Sequence, residues 1–297
     1  MDVMTTPARR TAPVPRLVRA ELRWIFRRPR TLAVLGLLAL IPVIMGIALA
    51  TTSPAASPGG GGPGGGGPGG GPGGDDGGGL LAAAAGSVLI LPIAALTMTM
   101  QMLLPLAAAM SGADALAGET STGTLRGWLL APVGRARLLL VKALGVATFT
   151  LVAASVIAVS GILTALVING GGTLYTLSGT TLSIPDALGR IALAVAWVTL
   201  QLWAVGAVAL AISALTEHPM VVLASVLGGI IVFAVLGSLD ALSWLHPFLL
   251  TDAWWSLVDV LRDPIPSGDL IDGALKAACY LAIGGSLAYA RLVSKDG

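Results

Sequence analysis

Six long, nearly charge-free apolar runs leave this chain little choice of solvent other than lipid. They span 31–50, 80–110, 138–168, 191–215, 220–239 and 271–292. A bilayer core of about 30 Å is crossed by about 20 apolar residues in a helix, and each run reaches that length. With 55% of residues hydrophobic and 11% charged, a soluble fold of 297 residues could not bury the apolar surplus. The runs are continuous and rich in Ala and Leu rather than alternating in polarity, which argues against a membrane β-barrel. The expected fold is an all-α, polytopic integral membrane protein with six transmembrane helices.

Two segments imitate other features. The first run ends in Ala48-Leu49-Ala50, as a signal peptide might, but it is longer than a signal core and follows a patterned basic segment. Residues 51–79 are almost entirely Gly and Pro and carry no lysine, so they form no phosphate-binding loop and read as a disordered extracellular tether.

Counting Lys and Arg by side sets the orientation. Eight arginines precede the first run, Arg126, Arg135, Arg137 and Lys142 lie between the second and third, and Arg291 and Lys295 close the chain. Only Arg190, Arg262 and Lys276 fall on the opposite side, so both termini are expected in the cytoplasm of a plasma (inner) membrane protein.

Within the cytoplasmic N-terminus, 1–30, residues 15–28 form an amphipathic helix when drawn at about 100° per residue. Arg16, Arg19, Arg23 and Arg27 make one basic stripe, with Trp24 among the apolar residues of the opposite arc, as in a helix lying in the headgroup layer. The loop 111–137 carries Thr120, Ser121 and Thr122 as caps for a short helix near Gly123, closed by Pro132. That helix would present Leu125, Arg126, Trp128 and Leu129 to a partner. In 240–270, Thr251 or Asp252 caps an interfacial helix with Trp254 at headgroup level. Thr97, Gln101 and Gln201 are the candidate lining of a substrate path, and Asp272 and Lys276 are spaced to pair along one helix.

The pattern Glu119, Gly123-Thr124, Leu129-Leu130, Pro132, Arg135 and Lys142 resembles the signature of ABC-2-type transporter permeases. The resemblance extends over the whole chain, although Thr120 and Ser121 follow Glu119 in place of the family's commoner acidic-basic-acidic run. It implies a coupling helix that docks on a partner ATPase through Glu119, Gly123, Thr124, Leu125, Arg126, Trp128, Leu129 and Pro132. It also implies a re-entrant hairpin within 240–270, and two permease subunits, identical or similar, working over a pair of ATPases.

The three lysines, Lys142, Lys276 and Lys295, occupy no nucleotide-binding motif, so ATP and Mg are expected on the partner ATPase and no cofactor on this chain. One cysteine and two histidines supply no metal site, no catalytic constellation is recognisable, and no nucleic-acid partner is implied. The expected function is export of a small amphiphilic, drug-like or lipid-like substrate. The competing reading is a membrane scaffold or assembly factor that recruits a cytoplasmic partner through 111–137.

Overall fold

A computed structural model describes residues 14–52, 89–121, 134–169, 176–178 and 180–294, and these are helical almost throughout. In order they are α1 (Val14–Arg27), α2 (Pro29–Thr52), α3 (Ile90–Met100), α4 (Leu103–Ala115), α5 (Ala117–Ser121), α6 (Arg135–Asn169), α7 (Ile184–Leu215), α8 (Pro219–Gly237), two 3-10 segments (Asp240–Phe248 and Asp252–Leu261) and α9 (Ser267–Ser294). Five of them, α2, α6, α7, α8 and α9, are each long and apolar enough to cross a membrane. The pair α3 and α4, bent by 57° at a short break, supplies a sixth crossing. The expected tether, 51–79, and the start of the second run lie outside the described residues, save Thr51 and Thr52 at the end of α2.

Within the second run, 80–110, Pro92 and Pro105 predict a kink or an interruption. The run breaks at Gln101 and Met102 and then continues to Ala115. Pro105 explains the position: it has no N–H for the carbonyl of Gln101, four residues back, and its ring crowds that carbonyl. Pro92 stands in the first described turn of α3, and the residues before Leu89 lie outside the described ones. Beyond Ala115 the chain turns once and forms α5, so most of the expected loop before residue 122 is helical. The hydroxyls of Thr120 and Ser121 donate backwards to the carbonyls of Leu116 and Gly118, at 3.0 Å each, and the helix expected near Gly123 lies outside the described residues.

The core is organised around α7, the most enclosed of the five unbroken crossings. Its start is fixed by Ser183, whose Oγ accepts the Asp186 N–H, with a proline in the first turn. Helix α9 packs along it more extensively than any other pair of elements. Trp197 Nε1 donates to the Leu270 carbonyl and Gln201 Nε2 to the Gly273 carbonyl, both at 2.9 Å. Further along, Gly284 faces the backbone of Ala207, where an added Cβ would come within 2.8 Å of the carbonyl carbon. Such small-residue contacts let helix backbones approach in lipid, where apolar burial alone gives little preference for helix over lipid tail.

The segment 240–270 is two 3-10 helices rather than one capped amphipathic helix, and no side chain caps the second. Trp254 does not face outward from the protein: it is 1% exposed, in a core shared with α3, α7 and α9. Trp244, by contrast, is 67% exposed. Lys276 does not pair with Asp272; its Nζ lies 3.5 Å from Asp252 and donates to the His246 carbonyl at 3.4 Å. The 3-10 segments bring nearer partners than the next helical turn does. Arg190 locks the far end, donating to the carbonyls of Val260 and Arg262 and meeting Asp263 at 3.2 Å.

Two adjacent glycines give a stringent check on the α7–α9 contact. Gly284→Val is expected to cost about 1–3 kcal/mol through overpacking, whereas Gly285→Ala, whose Cβ would meet nothing within 4 Å, should be neutral. Thermal melting of the purified variants reads the difference.

Candidate functional site

One cluster of charge lies inside the described structure, where α1 rests against α6. Lys142, in the second turn of α6, has a fully buried side chain. Its Nζ donates to both carboxylate oxygens of Glu21, at 2.9 and 3.1 Å, and to Oε1 of Glu119. Glu21 comes from α1 and Glu119 from α5, so a single ammonium joins three elements that are distant in sequence.

Each position has a local cause. Glu21 is the one acid on the inward arc of α1, since Arg16, Arg19, Arg23 and Arg27 are all on the exposed side. One turn beyond Lys142, Gly145 lets α1 close in: a Cβ there would lie 2.9 Å from Ile25 and 3.3 Å from the Glu21 side chain. Glu119 is aimed by α5, which Ser213 of α7 holds by accepting the Ala117 N–H at 2.8 Å and donating to the Ala113 carbonyl at 3.3 Å.

A second layer encloses the cluster on the α1 side. Asp114, at the end of α4, pairs with Arg28 at 3.5 Å and with Arg30. The Arg28 guanidinium lies over the Trp24 ring, 3.1 Å from its centre, and Lys142 Nζ is 5.6 Å from the same centre. Trp24 is therefore 42% exposed on one side while its face covers the cations on the other. Burial pushes the Glu119 carboxyl above the usual glutamate range, against the pull of Lys142. Glu119, expected as a contact on a partner, is 4% exposed and turned inward.

The remaining proposed coupling residues, Gly123, Thr124, Leu125, Arg126, Trp128, Leu129 and Pro132, lie outside the described residues. Their flanks, Ser121 and Gly134, are described, and the segment lies in sequence between Glu119 and Lys142 of the cluster. Of the candidate path residues, Thr97 is enclosed and donates to the Ile93 carbonyl at 2.9 Å. Gln201 is enclosed and spent on the α9 contact, with Oε1 unpartnered. Gln101 stands at the break in the second crossing, its Nε2 enclosed without a partner. Among the described residues no group of three or more His, Cys, Asp or Glu is arranged to hold a metal.

Sequence reasoning placed Lys142 in a motif but missed Glu21 and Asp114. The signal was present: a lone acid on the apolar arc of a basic helix requires a buried cation.

The family model for the ABC-2 family transporter protein matches residues 16–253, which takes in α1, the whole cluster and five of the six crossings. The chain belongs to this family. No curated protein matches it. It is accordingly an integral membrane permease of an ABC transporter, and ABC-2 permeases work with an ATPase partner. In this ABC-2 permease the matched region starts at the amphipathic helix, not at the first crossing.

Removing Lys142 should be the most damaging change in the cluster, because it strands two buried carboxylates. Lys142→Ala is expected to cost about 3–5 kcal/mol, and Glu119→Gln much less. The raised Glu119 value means that its contribution to stability is complete below the ordinary glutamate pKa and is lost as pH rises through the folded value. Glu119→Gln should therefore flatten the pH dependence of the melting temperature between those two values, measured by thermal melts of the purified protein.

Proposed function

We propose that this chain is the permease subunit of an ABC exporter, moving a small amphiphilic, drug-like or lipid-like substrate outward with energy from a separate ATPase. In this reading the termini, α1 and the Lys142 cluster face the cytoplasm, in keeping with fourteen of seventeen Lys and Arg on that side. A second permease subunit, identical or similar, completes the membrane part.

The observation that carries the proposal is the buried Glu21–Lys142–Glu119 cluster. It ties both described ends of segment 122–133 to the headgroup helix α1 and, through α4 and α6, to two crossings. A partner pushing on Trp128 and its neighbours would move Glu119 and Lys142 as a unit, not a loose loop. Buried charge pairs resist sliding, since separating them leaves a charge uncompensated at a cost of about 3–5 kcal/mol. ATP and Mg are assigned to the partner, in keeping with the absence of a phosphate-loop lysine in this sequence. The low charge content of the crossings favours nucleotide energy over an ion gradient, which draws on buried carboxylates or histidines. The outer face carries a cavity of about 1030 Å³ whose walls include His246, Phe248, Asp252, Lys276 and Tyr280. Its size and mixed walls suit release of an amphiphile.

Docking and folding can be separated at Trp128, which lies between Glu119 and Lys142 in sequence and is not a member of the ion-pair cluster. Trp128→Ala should lower ATPase co-purification at least about tenfold, as expected for an aromatic anchor, and leave the melting temperature of the permease unchanged. Undiminished co-purification with normal substrate-stimulated ATP turnover would contradict the assignment. Stable co-purification without ATP-dependent transport by the unaltered protein would favour the scaffold reading.

A further inference from the structure

An open groove of about 560 Å³ runs between α6, α7 and α9, and none of the Lys142 cluster's charged side chains lines it. Its walls are almost wholly apolar, with Leu140, Leu144 and Leu151 of α6 facing Leu281 and Ala288 of α9. Leu140, Leu144 and Leu151 are 41–50% exposed, so the chain itself leaves this surface uncovered. The floor is held by Trp203, whose Nε1 donates to the Ala147 carbonyl at 3.1 Å. Gly285 widens it, with nothing within 4 Å of where a Cβ would stand.

No charged residue lines the groove itself, but the residues just beyond its two ends differ in charge. At one end Arg137 precedes Leu140 by three residues and Leu144 by seven, which places it on the groove face of α6. Arg291 follows Ala288 by three residues on α9. Arg135 draws those helix ends together, donating to the carbonyls of Leu292 and Val293 at 3.3 and 2.8 Å. No acidic side chain lines the groove, and neither Arg137 nor Arg291 forms an ion pair with a described residue. The opposite end, at Leu151 and Leu281, is apolar.

We infer that this groove is a binding site for an anionic phospholipid, its acyl chain lying along α6 and α9 and its phosphate held between Arg137 and Arg291. The match is one of length as well as charge. From Ala136 to Leu151 the groove wall covers about 22 Å at about 1.5 Å per residue, enough for an acyl chain that fills a leaflet of about 15 Å. Basic pockets between membrane helices at headgroup depth suit anionic lipid, each Arg adding to the attraction. A zwitterionic lipid would fill the apolar part equally well but gain less from the two arginines. The inference rests on the proposed sidedness only for naming the cytoplasmic leaflet; the groove and its charged end do not depend on transport direction.

Lipid retention tests it on the purified full-length chain, with its ATPase where the two co-purify. Phosphatidylglycerol and phosphatidylcholine of the same acyl chains are titrated in detergent and followed by native mass spectrometry and thermal shift. The unaltered protein should prefer phosphatidylglycerol by at least about tenfold. Arg137→Glu with Arg291→Glu should abolish the preference, and Gly285→Phe should remove binding of both lipids, while Gly285→Ala serves as the folded control. Equal affinity for the two lipids, or full binding by Gly285→Phe with a normal melting temperature, overturns the inference. Glycerol 3-phosphate producing the same shift without acyl chains overturns it as well, in favour of a plain anion site. A separate arm, labelling Gly134→Cys in intact and opened cells, reads the side of the membrane and so distinguishes failure of the groove from failure of the topology.

Discussion

Burying an ammonium group costs several kcal/mol unless carboxylates meet it in good geometry, and the cytoplasmic architecture proposed here follows from how Lys142 meets that demand. Its partners come from α1 and α5, not from its own helix. To bring Glu21 within 2.9 Å, α1 must lie against α6 at Gly145. To bring Glu119 in, α4 must end at Ala115 and turn, with Ser213 of α7 holding the turn. Helix packing between apolar crossings is permissive by comparison, because one lipid-like face fits another almost as well as it fits lipid. The charged cluster supplies the register that the apolar surfaces leave open.

Much of this was legible in the sequence. Long charge-free runs require helices in lipid, and the stripe of Arg16, Arg19, Arg23 and Arg27 required an amphipathic helix; both depend on short-range periodicity alone. The break in the second crossing was half legible: Pro105 marked it, but hydropathy does not register a bend. What sequence could not give were pairings across elements. Lys276 had Asp272 at ideal helical spacing, yet Asp252 and the His246 carbonyl occupy its head because the 3-10 segments fold over α9. Trp254 looked interfacial by residue type and is core by position. Glu119 looked like an outward contact for the same reason, and only the position of Lys142 turns it inward.

The two charged ends of this molecule do different physical work. On the face proposed as cytoplasmic, the pairs of Lys142 with Glu21 and Glu119 are buried and join elements that would otherwise slide. On the opposite face, Arg190, Asp263, Lys276 and Asp252 are partly solvated, where pairs contribute about 0–1 kcal/mol each. A permease that opens outward while staying coupled inside would be built with this asymmetry, firm where force enters and loose where cargo leaves. The apolar groove between α6, α7 and α9 adds a third surface, placed so that a lipid there would touch the same helix that carries Lys142.

The most direct test replaces the cluster without unfolding it. Exchanging a buried ion pair for apolar residues of similar size is often neutral in stability, so a Glu21→Leu, Lys142→Met, Glu119→Leu chain should fold and still bind its ATPase. Measured in proteoliposomes as substrate moved per ATP hydrolysed, that chain should fall at least about tenfold below the unaltered protein if the cluster transmits force worth 1.4 kcal/mol or more (about tenfold). A folded, ATPase-bound triple variant that moves substrate at the original ratio would contradict the account.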